Sequence, residues 1–256
     1  MHFPTKGIDM EQIKYTNGIH LSYILPLKHW RILDLKSIFE LSKFPGTFGS
    51  FKRVIVTLET KNIIKSFQDP YSKKKYLHLT QGGEMQIGVK EGIPGIADDT
   101  RLHDCKAIDI CKAMLKLPTV TSIELEHQLI ERSNFKQTYK ICPDGLIYGE
   151  RMGKKFKMAF ELELTRKSKA KYMAKIEQYL HSSVYDYALY FFHNPGVLES
   201  YRDSINEAYG EKAFGKIMLA HNATLLSRAF NFTKTKIIFQ NKEVDIEELF
   251  GKIMGE

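Results

Sequence analysis

The chain has 256 residues, enough for one large core or two modest ones, and its 43% hydrophobic and 27% charged residues are ordinary for a soluble globular protein. No apolar run reaches the length of a membrane span, the opening Met1-His2-Phe3-Pro4 lacks the pattern of a secretory signal, and Cys105, Cys111 and Cys142 form no CxxC pair. A cytoplasmic protein is therefore expected, with no membrane insertion, disulfide framework or thiolate zinc site. The charge is unevenly spread. Residues 1–90 carry 14 Lys and Arg against 7 Asp and Glu, whereas residues 91–256 carry 24 against 23. A basic module beside a near-neutral one is the asymmetry expected when one part holds a polyanion.

Residues 20–90 read as the first domain. A short helix is predicted over 27–33 and a second over 35–41, with Asp34 as its N-cap. Phe44-Pro45-Gly46 breaks the chain, and Thr47 can cap a third helix reaching Lys61, whose Phe51, Val54, Ile55 and Leu58 recur at three- and four-residue spacing. Ser50, Lys52, Arg53 and Thr57 fall largely off that stripe and suit a DNA groove. Strands over 63–67 and 76–79 flank the turn Asp69-Pro70-Tyr71-Ser72. Lys73, Lys74 and Lys75, at the tip of this hairpin, are placed for phosphate contact. The order of elements resembles the winged helix-turn-helix superfamily, which implies binding to double-stranded DNA. The glycine- and proline-bearing stretch 88–99 reads as a linker.

Residues 97–256 read as the second domain. Helices are predicted over 99–117 and, through Ile123, Leu125, Leu129 and Ile130, after Thr121-Ser122. The period then changes to two, giving strands over 141–148 and 156–165, a helix over 168–180 and an apolar strand over 185–192. A helix near 198–209, strands over 216–220 and 236–240, and a closing helix near 246–254 complete an α/β or α+β domain.

The strand over 156–165 carries the chemistry. Phe156, Met158, Phe160, Leu162 and Leu164 share one face; Glu161 and Glu163 share the other, roughly 7 Å apart. Two adjacent carboxylates repel each other and call for a cation. If this strand forms a hairpin with the one before it, Asp144 of Pro143-Asp144-Gly145 comes near them. The three carboxylates would then make an all-oxygen site for Mg2+ or Mn2+. Lys167, Lys171 and Lys175 recur at four-residue spacing beyond the strand, where one of them can stabilise a pentacovalent phosphate. Tyr172 and Tyr179 read as packing residues. There is no GxxxxGK[ST], HExxH or GxSxG motif, and no two histidines are separated by a single residue.

Pro143-Asp144 followed, seventeen residues after the aspartate, by Glu161-Leu162-Glu163 on the next strand and then a helix resembles the PD-(D/E)xK nuclease superfamily. Glu163 stands where that superfamily has its lysine, so the resemblance implies a catalytic lysine from the following helix, Lys171 or Lys175. With the winged helix in front and the helix from Lys171 to Tyr179, residues 25–195 look like the MOBC class of plasmid mobilisation relaxases, related to the replication-relaxation proteins. That likeness implies a site- and strand-specific nicking endonuclease dependent on Mg2+ or Mn2+, acting at a plasmid transfer origin alongside a coupling or mobilisation accessory protein. His103 matches the upstream histidine of the class. Two alternatives stand beside it: a DNA-binding regulator whose nuclease-like domain is inactive, and a double-strand restriction-type endonuclease, which would need to dimerise.

Overall fold

The computed structural model describes residues 21–89, 96–130 and 141–251. Half of the expected linker, residues 90–95, and the end of the expected closing helix lie outside the described residues. The chain divides into two compact units, residues 1–68 with 74–96, and residues 69–73 with 97–256. Among the described residues no helix is long and apolar enough to cross a membrane.

In the first unit a 3-10 turn at Leu21–Ile24 leads into α1 (Pro26–Trp30), β1 (Ile32–Asp34), α2 (Leu35–Ser42), α3 (Phe48–Thr60), β2 (Ile64–Gln68), β3 (Lys75–Leu79) and α4 (Gln81–Gln86). The caps are those expected: the Ser37 amide donates to Asp34 Oδ1 at 3.0 Å and the Ser50 amide to Thr47 Oγ1 at 3.2 Å. Phe51, Ile55 and Leu58 of α3 are buried. The helix predicted over 27–33 stops earlier, because Arg31 takes a φ of 61° and frees Ile32–Asp34 to pair with β3. The sheet order is β1-β3-β2, antiparallel throughout. Helix α4 was not foreseen, since its two glycines lower helix propensity. Gly83 is needed there: a Cβ would lie 2.0 Å from the Ile63 carbonyl oxygen.

The second unit contains α5 (Arg101–Met114), β4 (Val120–Leu125), α6 (Glu126–Ile130), β5 (Gly145–Arg151), β6 (Lys154–Glu163), α7 (Lys169–His181), β7 (Tyr187–Phe192), α8 (Pro195–Tyr209), β8 (Ile217–His221), β9 (Lys236–Phe239), β10 (Lys242–Asp245) and α9 (Ile246–Phe250). One mixed sheet orders these strands β10-β9-β8-β7-β6-β5-β4. Strands β4, β5 and β6 form an antiparallel meander, while β6, β7 and β8 run parallel and are joined through α7 and α8. The predicted α/β class is observed in this form.

Three readings of the sequence are corrected here. The helix expected through Ile123 and Leu125 is strand β4 followed by the five-residue α6, because the segment alternates in burial and pairs with β5. Strand β5 starts at Gly145 rather than residue 141; Pro143 has no N–H to give a ladder. Strand β10 was missed, since its two-residue turn Gln240-Asn241 takes φ of 50° and 61° without a glycine.

The β5–β6 hairpin is closed by Met152 and Gly153, with φ of 51° and 72°, between the paired Arg151 and Lys154. Positive φ at both central residues matches the right-handed twist of the strands and fixes the register. From Met158 to Glu163 strand β6 is buried on both faces, and α7 and α8 cover the face of Ala159 with Tyr172, Ile176, Tyr179, Tyr201 and Ile205.

Residues 69–73 belong to the second unit through a buried ion pair: Lys106 Nζ of α5 lies 2.5 Å from Asp69 Oδ2, and both side chains are essentially inaccessible. Lys106→Met should leave Asp69 as a lone buried charge and cost about 3–5 kcal/mol at neutral pH, most of it recovered on adding Asp69→Asn. Burial raises the Asp69 carboxyl, but the Lys106 and Ser72 hydrogen bonds, the Tyr71 amide and the Lys106 charge outweigh it and hold it below its ordinary value. A depressed folded value gives stability that is present above about pH 4 and lost as pH falls through the folded value. Urea unfolding should therefore show the gap between wild type and the Lys106→Met variant closing in acid; a gap independent of pH would contradict the pairing.

Candidate active site

The hairpin register ends with Gly145 opposite Phe160, so Asp144 enters the hairpin just where Glu161 and Leu162 follow on β6. Asp144 is anchored twice. Its carbonyl accepts the Glu126 amide at 3.1 Å, and its Oδ2 accepts the Leu162 amide at 2.7 Å. His103 reaches the same point from α5, with Nε2 3.2 Å from Asp144 Oδ2 and 3.1 Å from the Leu162 carbonyl oxygen. Both partners accept, so Nε2 carries a proton. Nδ1 lies 3.6 Å from Asp104 Oδ1. Burial disfavours the imidazolium, but the hydrogen bonds and charges of Asp104 and Asp144 push its pKa up to about 10. Burial likewise raises Asp144, and His103, the Leu162 amide and Lys175 outweigh it, so this carboxyl titrates below its usual range.

Glu161 is 1% exposed on the face covered by α7 and α8. Its Oε2 accepts from Lys175 Nζ at 2.6 Å, and its Oε1 accepts from the Tyr179 hydroxyl. Burial and the charge of Asp144 still push its pKa up to about 7. Glu163 is 2% exposed, and its Oε1 accepts from Lys167 Nζ at 2.7 Å. Burial raises this carboxyl too, Lys167 offsetting part of the effect. Glu163 Oε2 is buried without a hydrogen-bond partner, as are the Tyr190 and Tyr201 hydroxyls of the same helix-covered layer.

The structure thus brings together His103, Asp144, Glu161, Glu163 and Lys175. Lys171 is apart from them: it is exposed on α7 and makes no ion pair among the described residues. The expected lysine stripe fails because Lys167 precedes the helix, which Ser168 begins. Sequence reasoning placed Lys167 in the lysine stripe but carried only Lys171 and Lys175 forward as catalytic candidates, and it gave Tyr179 to packing. Tyr179 stands four residues after Lys175, one helical turn on, and that spacing was the available signal. Tyr172 does pack, stacked on Tyr201 with ring centroids 3.8 Å apart. Among the described residues no group of three or more His, Cys, Asp and Glu side chains is arranged as a metal-binding cluster. The side chains that could hold a cation are Asp144, Glu161 and Glu163, each with carboxylate oxygens suited to a hard ion.

In the first unit Lys52, Arg53 and Thr57 are exposed on α3, and Ser50 is half-buried with its hydroxyl donating to the Thr47 carbonyl at 2.8 Å. Val56, which the sequence reading did not single out, lies among them at 57% exposure. Lys73 and Lys74 are exposed, whereas Lys75 pairs with Glu59 at 2.8 Å.

The raised Glu161 carboxyl has a measurable consequence. A folded value near 7 against an ordinary 4.5 gives stability that is full below about pH 4.5 and lost as pH rises through 7. In the presence of EDTA, Glu161→Gln should flatten the fall in unfolding free energy over that window. A wild-type and variant difference that stays constant from pH 4.5 to 7.5 would rule the shift out. No family model matches the chain, and neither does any curated protein or any solved structure.

Proposed function

We propose that the protein is a DNA-nicking endonuclease of relaxase type, dependent on Mg2+ or Mn2+, which starts plasmid mobilisation at a transfer origin in the cytoplasm. Its first unit is read as a winged helix-turn-helix: α2 and α3 precede a β2–β3 hairpin, and the sheet order β1-β3-β2 suits that fold. Its second unit is read as PD-(D/E)xK-like, with an antiparallel meander joined to a parallel strand through α7. The observation that carries the reading is that Asp144 is bound to the Leu162 amide, next to Glu161 at one hairpin end, with Lys175 Nζ 2.6 Å from Glu161.

The residues suit a hard divalent ion. Asp144, Glu161 and Glu163 offer only oxygen donors, Glu163 Oε2 is buried and meets no cation among the described residues, and burial, with the charge of Asp144, raises the Glu161 carboxyl, a cost that a bound cation would offset. The chemistry such an ion supplies when bound is Lewis-acid polarisation of a phosphoryl oxygen. Lys175 is placed to orient an attacking water and to meet charge developing on the phosphate. His103 keeps Asp144 ionised and aimed. The exposed Lys52, Arg53 and Thr57, with Lys73 and Lys74, would hold the duplex, and a coupling or accessory protein would act beside them.

A second reading, a DNA-binding regulator without catalysis, is favoured by one observation: Glu161 and Glu163 each already have a lysine partner. Incubation of the protein with supercoiled origin-bearing plasmid separates the two. Nicking is expected with Mn2+ and not with EDTA. It should be lost in Asp144→Ala, Glu161→Ala and Glu163→Ala with duplex affinity nearly unchanged, and Lys175→Ala should slow it on the order of a hundredfold while Lys171→Ala does not. Wild type that binds the plasmid and leaves it supercoiled with Mn2+ would leave the regulator standing, and intact nicking in the carboxylate variants would remove these residues from the site. Replacing Lys73 and Lys74 by Ala should flatten the slope of log K against log salt by up to about 2, and Arg53→Ala should cost about 1–3 kcal/mol at a preferred site and less on random DNA. An unchanged slope would remove the hairpin from the interface.

A further inference from the structure

We propose that Lys167 is a removable counter-cation, which holds Glu163 in the metal-free protein and yields that carboxylate to a divalent ion while Lys175 stays on Glu161. The inference rests on the metal-dependent reading of the site. Glu163 cannot leave: it ends β6, pairs with Phe192 of β7 and is 2% exposed. Lys167 can. It lies on the connection between β6, which ends at Glu163, and α7, which begins at Lys169, and its side chain is 33% exposed. Its ammonium makes no hydrogen bond among the described residues except to Glu163 Oε1, and its four-carbon stem can swing to water.

The pair at Glu161 is as buried, but it differs in where its lysine sits and in what holds its second oxygen. Lys175 sits mid-helix in α7, and both oxygens of Glu161 are engaged, one by Lys175 and one by the Tyr179 hydroxyl. Opening that pair would leave a buried carboxylate and a half-buried ammonium to be solvated together. At Glu163 one oxygen, Oε2, meets no cation among the described residues and has the neutral Tyr201 hydroxyl beside it, so a divalent ion finds an acceptor that no charge yet holds. The exchange therefore replaces one ammonium on a buried carboxylate by another cation, and the carboxylate is not left alone.

The test is calorimetric titration of the full-length protein with Mn2+ in the absence of DNA, with thermal melts in EDTA. Lys167→Met should bind Mn2+ about three- to tenfold more tightly than wild type, because the competing ammonium is gone, and should melt lower in EDTA. Lys167→Arg should keep wild-type affinity, and Lys167→Gln gives the same deletion with a polar side chain should the Met variant fold poorly. A purely structural lysine predicts the lower melting point with unchanged Mn2+ affinity, and that result, or weaker binding, overturns the inference. Wild type that takes up no Mn2+ overturns the proposed metal dependence and this inference together; wild type that binds while the variants bind no better overturns this inference alone.

Discussion

A carboxylate buried beneath a layer of helices needs a cation within hydrogen-bond reach, and β6 buries two of them, two residues apart. Much of the second unit answers that need. The crossover after β6 returns as α7 with Lys175 and Tyr179 facing Glu161, and the connection before α7 folds Lys167 back onto Glu163. Helix α7 is therefore fixed in rotation by polar contacts as well as by Tyr172 and Ile176 in the core. Tyr179 serves both purposes, its ring in the aromatic layer and its hydroxyl on the carboxylate.

Leu162, between the two glutamates, organises the other half of the site. Continuing the hairpin register sets Pro143 opposite it, and proline has no N–H to offer the Leu162 carbonyl. That carbonyl accepts from His103 Nε2 instead, and the Leu162 amide donates to Asp144 Oδ2. One missing backbone donor thus brings a histidine from α5 to the end of β5, where it also meets Asp144. Aspartate and histidine are thus tied to the backbone of one residue, through its amide and its carbonyl, and the side chain of Leu162 stays in the core.

The alternation of 156–165 and the two caps of the first unit were legible because strand period and capping chemistry are local. The pairing of β5 with β6 was legible as a possibility, although its turn, Met152-Gly153, lacks the usual Asn-Gly signal. What escaped depends on tertiary surroundings. Ile123, Leu125, Leu129 and Ile130 fit a helical spacing across what is a strand and then a short helix, and only the ladder to β5 separates them. Glycine at 83 conceals α4 from any propensity argument, since its reason is the approach of the Ile63 carbonyl. Four-residue spacing put three lysines on one face, but the helix starts after the first of them. The face assigned to Glu161 and Glu163 was read correctly as separate from that of Phe160 and Leu162, yet its burial under α7 and α8 had no sign in the strand itself.

The charge inventory bears on the two functional readings. Asp144, Glu161 and Glu163 face three cationic partners, His103, Lys175 and Lys167, each by direct contact. Two glutamates on one strand add two negative charges, and the lysines delivered after the strand restore the balance. Such an arrangement is a poor device for stability: replacing buried ion pairs by well-packed apolar residues of similar volume is often neutral or stabilising. Glu163 adds a buried oxygen that meets no cation among the described residues, and Glu161 a carboxyl whose pKa burial raises to about 7, each a cost that a purely structural layer would avoid by using leucine or phenylalanine. Strain of this kind, gathered at one end of one hairpin, is what a site for a divalent ion and a phosphodiester would look like before either arrives. The balance of cost and charge therefore favours the catalytic reading over the regulator.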